Sequence, residues 1–215
     1  MRAATLLVRS FRNLADAELT LPPEGVALVG SNGHGKTNLL EALAYPVLFR
    51  SIRGAADREL AQFGGPGFHV TVALAEGPVI ATTWSSATRR KRITIDGEEM
   101  AGRAAALGRW LAVAFLPTDL ALVQGGAGER RRWLDRMLSL ASRPYLDSLL
   151  RYRAALAQRN AALRQGDATS AGAFDGVLAR DGAAVIAARL EWSDGAAEPW
   201  AEELAALGEA APVAV

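Results

Sequence analysis

One stretch constrains this chain more than any other: Val26 to Leu43, VALVGSNGHGKTNLLEAL. Gly30, Gly35, Lys36 and Thr37 satisfy G-x-x-x-x-G-K-[ST], and the apolar run Val26 to Val29 before it and the helical run Leu39 to Ala44 after it supply the context that gives the spacing meaning. A buried strand, a phosphate-binding turn and a helix are therefore expected in that order. Gly30, Ser31, Asn32, Gly33, His34 and Gly35 form the turn, where the glycines let successive N–H groups converge on an anion. The helix beginning near Lys36 adds its positive end to that site. Lys36 is expected to reach the β/γ-phosphates as a point charge and the Thr37 hydroxyl to ligate Mg²⁺, so the implied ligand is ATP with its magnesium.

With 215 residues, 50% of them hydrophobic and 22% charged, the chain can bury a proper core in one large domain or two small ones. The absence of cysteine excludes disulfides, thiolate metal sites and cysteine nucleophiles. The opening MRAATLLVRSFRN is broken by arginines and lacks the continuous apolar core of a signal peptide. No stretch approaches the ~20 apolar residues of a membrane span, so the expectation is a cytoplasmic protein with no membrane partner. A net charge of +1 hides a segregation. Residues 1–120 hold 13 basic and 11 acidic side chains, residues 121–165 hold 9 and 3, and residues 166–215 hold 2 and 9.

Alternating residues from Thr5 to Leu21, around Phe11-Arg12-Asn13, suggest two strands feeding the phosphate-loop strand. Phe49 to Gly67 is loop-like, with Gly54, Gly64, Gly65, Pro66 and Gly67 as breakers. His69–Ala75, Val79–Trp84 and Arg92–Ile95 read as an antiparallel β insertion turning at Glu76-Gly77 and Asp96-Gly97. Leu111 to Leu116 reads as a further buried strand, stopped by Pro117. From Thr118 the pattern is helical, with Arg130–Ser142, Tyr145–Arg164 and Phe174–Trp192 as the long candidates. Leu146, Leu149, Leu150, Leu156 and Leu163 fall near one helical face, and Gly195 to Val215 weakens toward a linker or frayed tail. The expected domains are 1–118, carrying the phosphate loop and the β insertion, and 119–215, a helical lobe.

A P-loop ATPase also needs an acidic residue after a buried strand to hold the metal. Asp96 ends a short strand that turns at once into a hairpin, and Asp119 reads better as a helix cap than as a magnesium ligand. Leu122-Val123-Gln124-Gly125-Gly126 has the look of an ABC signature loop but lacks the serine.

The order Phe11-Arg12-Asn13, GSNGHGKTNLLEA, PTDLALVQGGAGERRRWLD (Pro117 to Asp135) and Gln158-Arg159-Asn160 with Leu163 resembles the RecF family of bacterial DNA repair ATPases, and the likeness continues through Phe174-Asp175, Leu178-Ala179, Gly182, Ile186 and Arg189. It covers roughly residues 2 to 190. The resemblance implies an incomplete ABC/SMC-like ATPase head of the α/β P-loop class with a helical second lobe. It also implies a protein that dimerises on ATP, binds single-strand/double-strand DNA junctions, and works with RecO and RecR in recombinational gap repair and the SOS response. Ala127 departs from the family, which usually has proline there, and His34 is unusual in the phosphate loop. Family members run on for another ~150 residues. The acidic strand and the signature serine are thus expected beyond Val215, and the chain is expected to be a fragment, a truncated product or an incomplete record.

By the same resemblance Arg12 and Asn13 lie beside the nucleotide, and Ser51 and Arg53 match a segment that touches nucleotide or DNA. Arg130, Arg131 and Arg132 form a DNA-facing or dimer-facing cluster that needs an acidic partner at a helix start. Arg89, Arg90, Lys91 and Arg92 are candidate phosphate contacts on a hairpin. His69 is a plain strand residue. The family's weak DNA-stimulated ATPase activity is not expected of this chain alone. Two alternatives compete with an ATP-gated DNA clamp: a P-loop phosphotransferase, and a non-hydrolysing nucleotide-binding module.

Overall fold

Six strands form one sheet in the order β2-β1-β3-β4-β5-β6, with every neighbouring pair antiparallel: β1 (Ala3–Arg9), β2 (Ala17–Thr20), β3 (Gly67–Leu74), β4 (Val79–Ser85), β5 (Arg90–Ile95) and β6 (Glu98–Glu99). The computed structural model describes residues 2–208 and divides into two compact units, one ending at Phe115 and the other beginning at Leu116. Pairing register lines up one buried face of the sheet. Leu6 lies opposite Val72, Val72 opposite Ile80 and Ile80 opposite Ile95, while Val8, Val70, Thr82 and Ile93 form the next row. Alternate residues share a face, so these rows bury together and the intervening positions face away. Asp96 and Gly97, with φ of 51° and 85°, supply the left-handed pair that a two-residue β5–β6 hairpin requires.

The antiparallel strands read as a β insertion are continuous with the opening pair, because β1 is flanked by β2 on one side and β3 on the other. Helix α1 (Lys36–Leu48) packs on the buried face, where Tyr45, Phe11, Phe68 and Trp84 build an aromatic cluster whose ring centroids lie 5.3 to 6.4 Å apart. Short helices α2 (Asp57–Leu60) and α3 (Arg103–Ala106) complete the unit.

Two expectations are corrected. Val26 to Val29 and Leu111 to Leu116 form no strand, and Val29 and Val113 are 93% and 97% exposed. A doubly buried strand needs ladder partners on its edges, and among the described residues neither segment has one.

The second unit contains a 3₁₀ turn (Pro117–Leu120), α4 (Ala121–Gln124), α5 (Ala127–Ala141), α6 (Arg143–Arg164), α7 (Ala168–Gly172) and α8 (Asp175–Ala206). Its core joins Leu138 of α5, Tyr145 and Leu149 of α6 and Val185 of α8, with Leu134, Ala188 and Trp192 packed against it. Leu150 and Leu163 are instead 44% and 46% exposed, because the covered stripe on α6 is narrower than the apolar pattern suggested. The tail expected to fray from Gly195 is helical to Ala206. Alanines and glutamates around Pro199 are strong helix formers and carry α8 past the one hydrogen bond that proline removes. Residues 209–215, also part of that expectation, lie outside the described residues.

The charge segregation has a structural counterpart in this unit. Arg151 pairs with Asp181 and Arg159 with Asp175, so basic α6 and acidic α8 neutralise each other along their contact.

Candidate nucleotide-binding site

Residues 30–35 form the turn that leads into α1, with Ser31, Asn32, Gly33, His34 and Thr37 exposed. Gly35 caps the helix at φ 88°, a conformation that favours glycine. A Cβ there would also approach Leu14 Cδ2 to 2.9 Å and Asn13 Oδ1 to 3.0 Å. The first turn of α1 has no side-chain cap and no acidic residue. Its orphan N–H groups and positive dipole end are thus open to an anion. The Lys36 ammonium turns back over the loop and donates to the carbonyl oxygens of Gly30 at 2.6 Å and Ser31 at 2.8 Å. Backbone donors, a helix end and an ammonium converge on one turn, and this donor set fits a polyphosphate.

The loop is braced by the segment after β1. Asn13 Nδ2 donates to the Gly33 carbonyl at 3.0 Å, and Asn13 Oδ1 accepts from Asn38 Nδ2 at 2.7 Å. Arg12, at φ 55°, donates its backbone N–H to the Leu60 carbonyl at 2.7 Å. Its guanidinium grips the Glu41 carboxylate through Nε at 3.1 Å and Nη2 at 3.4 Å. Glu41 is fully buried and also accepts from Ser51 Oγ and Arg53 Nη2. Arg53 Nη2 reaches Asn38 Oδ1 at 2.5 Å as well. Burial pushes the Glu41 carboxyl up, but hydrogen bonds from Arg53, Ser51 and Arg12 outweigh it and hold the group below its ordinary value.

Sequence reasoning selected Arg12, Asn13, Ser51 and Arg53 but missed Glu41 and Asn38, which connect them. The available signal was one acidic residue inside the apolar run LLEALAY, four residues after Thr37 and so on the same helical face.

A cleft of about 1040 Å³ opens beside this network, lined by Arg12, Asn13, Asn38, Phe63, Trp84 and Arg89 among others. Arg89 and Arg90 are exposed. Lys91 is engaged instead: its ammonium lies 2.8 Å from Asp57 Oδ2, donates to the Phe49 carbonyl at 2.6 Å, and sits 5.2 Å from the Tyr45 ring centre. Arg92 pairs with Glu99 at 2.8 Å. His69 bridges Thr83 and Thr71, and burial, with Arg9 nearby, lowers its pKa.

Both sequence candidates for the second acidic site are engaged in local backbone hydrogen bonds. Asp96 accepts from the Val79 N–H at 2.9 Å, and Asp119 accepts from the Leu116 N–H at 2.7 Å in the cap of the 3₁₀ turn. In the second unit Arg130 donates to the Gly125 carbonyl at 2.9 Å, Arg132 pairs with Glu129, and Arg131 is exposed. Glu129 is the acidic partner expected at that helix start. Among the described residues no helix is long and apolar enough to cross a membrane, and no three acidic or histidine side chains gather to hold a metal.

No protein-family model matches the chain. Over 192 residues it is 34% identical to the DNA replication and repair protein RecF of Chlamydia muridarum (strain MoPn / Nigg), covering 89% of this chain and 53% of that protein. Over 207 residues it is 34% identical to the DNA replication and repair protein RecF of Salinibacter ruber (strain DSM 13855 / M31), covering 95% and 46%. A solved structure of the recombination mediator protein RecF-ATP in the RecFOR pathway matches with a TM-score of 0.85 and 28% identity, over 94% of this chain and 56% of that one. The chain spans about half the length of the curated relatives it matches. The fold class expected from the sequence, an ABC/SMC-like P-loop ATPase head with a helical lobe, is that of these neighbours.

Proposed function

We propose that this chain, which belongs to the RecF family and matches its N-terminal part, forms the nucleotide-binding portion of an ATP-binding protein of DNA replication and repair. One observation carries the reading: Lys36, the loop of residues 30–35 and the uncapped start of α1 converge as a single polyphosphate cradle. In this reading the loop N–H groups and Lys36 hold the phosphates, Thr37 holds Mg²⁺, and Arg12 and Asn13 flank the nucleotide. DNA is bound through its backbone, at single-strand/double-strand junctions. Dimerisation on ATP, action with RecO and RecR, a part in the SOS response and a cytoplasmic location belong to the same proposal.

Asp96 and Asp119 each accept a backbone N–H in a turn and a cap, and in this reading the chain supplies the cradle without the carboxylate that orients water. Binding is therefore expected from this chain and turnover is not, since positioning and electrostatics make up nearly all of a protein's contribution to phosphoryl transfer. Titration with a labelled ATP analogue in Mg²⁺, alongside a phosphate-release assay, tests both halves. Sustained turnover dependent on Lys36 would favour a self-contained phosphotransferase.

A further inference from the structure

We propose that Glu41 is a positioning residue for nucleotide binding, holding Arg12 and Arg53 as a pair of cations on the flank of the phosphate loop. The inference rests on the phosphate-loop reading above and concerns a residue that never faces the ligand.

Three observations converge on it. Glu41 is fully buried, yet it carries a charge, and a charge in that position persists only when it is paired and hydrogen-bonded. Its partners come from two different loops, Arg12 from the β1–β2 connection and Ser51 with Arg53 from the segment after α1, so one carboxylate fixes both loops to the helix that begins at the phosphate turn. Arg12 also holds a left-handed backbone that a non-glycine residue keeps only where its surroundings over-determine it, here the Leu60 carbonyl on its N–H and Glu41 on its guanidinium.

The charge balance points outward from the helix. Two guanidiniums meet one carboxylate, which leaves one positive charge in excess. A guanidinium has five N–H donors, and Glu41 takes only Nε and Nη2 of Arg12 and Nη2 of Arg53. The side chains of Arg12 and Arg53 are partly exposed, whereas the carboxylate is not. The cluster is joined to the phosphate turn through Asn38 and Asn13, whose amide reaches the Gly33 carbonyl. A buried anion therefore presents cations to a polyphosphate bound in the neighbouring turn.

The test is a coupling cycle in the 215-residue chain, read as affinity for a labelled Mg·ATP analogue, with circular dichroism and melting temperature recorded for every variant. Arg12→Ala and Arg53→Ala are expected to weaken binding roughly 10-fold each, the order of one charge-assisted contact. Glu41→Gln, which keeps the volume and removes the charge, is expected to weaken it to a similar degree. Added to the Arg12→Ala/Arg53→Ala background, Glu41→Gln should change affinity less than about 2-fold, because residues in one network are not additive. Unchanged affinity in a folded Glu41→Gln chain overturns the proposal, as does a loss that persists undiminished in the double-arginine background. If Glu41→Gln does not fold, the arginine variants decide: weakened binding at unchanged melting temperature supports the proposal, and unchanged binding in both overturns it. Lys36→Ala keeps the two readings apart. Absence of wild-type binding, or indifference to Lys36→Ala, removes the phosphate-loop assignment and this inference with it; intact, Lys36-dependent binding with no effect of Glu41 removes this inference alone.

Discussion

The Lys36 ammonium lies 2.6 Å from the Gly30 carbonyl oxygen, so the side chain that follows the phosphate turn is already folded back across its first residue. A phosphate in the turn would accept from an ammonium that needs little reorganisation to meet it. Lys36→Ala is expected to weaken binding of an ATP analogue by ~1.5–3 kcal/mol, roughly 10 to 150-fold. Fluorescence titration of both proteins checks this, and equal affinities would sink the assignment.

Arg89 and Arg90 are exposed while Lys91 is tied to Asp57, Phe49 and the Tyr45 ring, which separates three residues that adjoin in sequence. Arg89→Ala/Arg90→Ala is expected to lower DNA affinity and flatten its salt dependence equally across sequences, as loss of backbone contacts does. Lys91→Ala is expected to leave the salt slope alone and to destabilise the first unit by ~1–2 kcal/mol, from one partly buried ion pair and its hydrogen bond. Salt-dependent binding isotherms and denaturant melts distinguish the two outcomes.

In the second unit, Asp135 accepts from Arg189 Nη2 at 2.7 Å, Arg153 Nη2 at 2.7 Å and Tyr145 Oη at 2.5 Å, from a buried position between three helices. Burial, and then the hydrogen bond to Asp135, push the Tyr145 phenol up to about 12. Asp135→Ala strands two guanidiniums and a hydroxyl. Arg153 is half exposed and can rehydrate, so the expected loss is ~2–4 kcal/mol, below the full value for a buried pair. Urea denaturation followed by helical circular dichroism measures it.

The two apolar segments at 26–29 and 111–115 are expected to exchange their amide hydrogens almost as fast as unfolded chain, because they lack a ladder partner among the described residues. Amides of β3 and β4, central in the sheet, should exchange slowest in the first unit. Exchange followed by mass spectrometry would count against the described arrangement if residues 26–29 were as protected as 70–74.

Acid should expose the contribution of Glu41. Its folded pKa lies below the ordinary 4.5, so the stability it adds is present above that value and is lost as pH falls through the lower folded one. Wild type and Glu41→Gln should therefore differ in melting temperature at neutral pH and converge as the medium is acidified below about 4.5. A gap that stays constant with pH would contradict the charged state of Glu41.

Local chemistry was readable from residue order alone. The G-x-x-x-x-G-K-[ST] spacing located the turn and the start of α1, because a glycine-rich bend followed by a helix is settled within a few residues of itself. Alternation at 69–75 and 79–84 located β3 and β4 for the same reason, and Asp96-Gly97 announced its hairpin through backbone preference. Partnership between distant residues was not readable. Val26–Val29 and Leu111–Leu116 have strand composition, but composition does not supply a neighbour, and only the assembled sheet shows that β1 takes β3 and leaves those segments out. The excess of arginine over 121–165 was countable in the sequence, but only packing shows that Arg151 and Arg159 meet carboxylates of α8. Glu41 was likewise one charge in an apolar helix until folding brought Arg12, 29 positions before it, and Arg53, 12 after it, onto the same carboxylate. Turns and helix starts follow from short-range sterics, whereas strand partners and the ownership of a buried charge follow from which distant surfaces exclude water together.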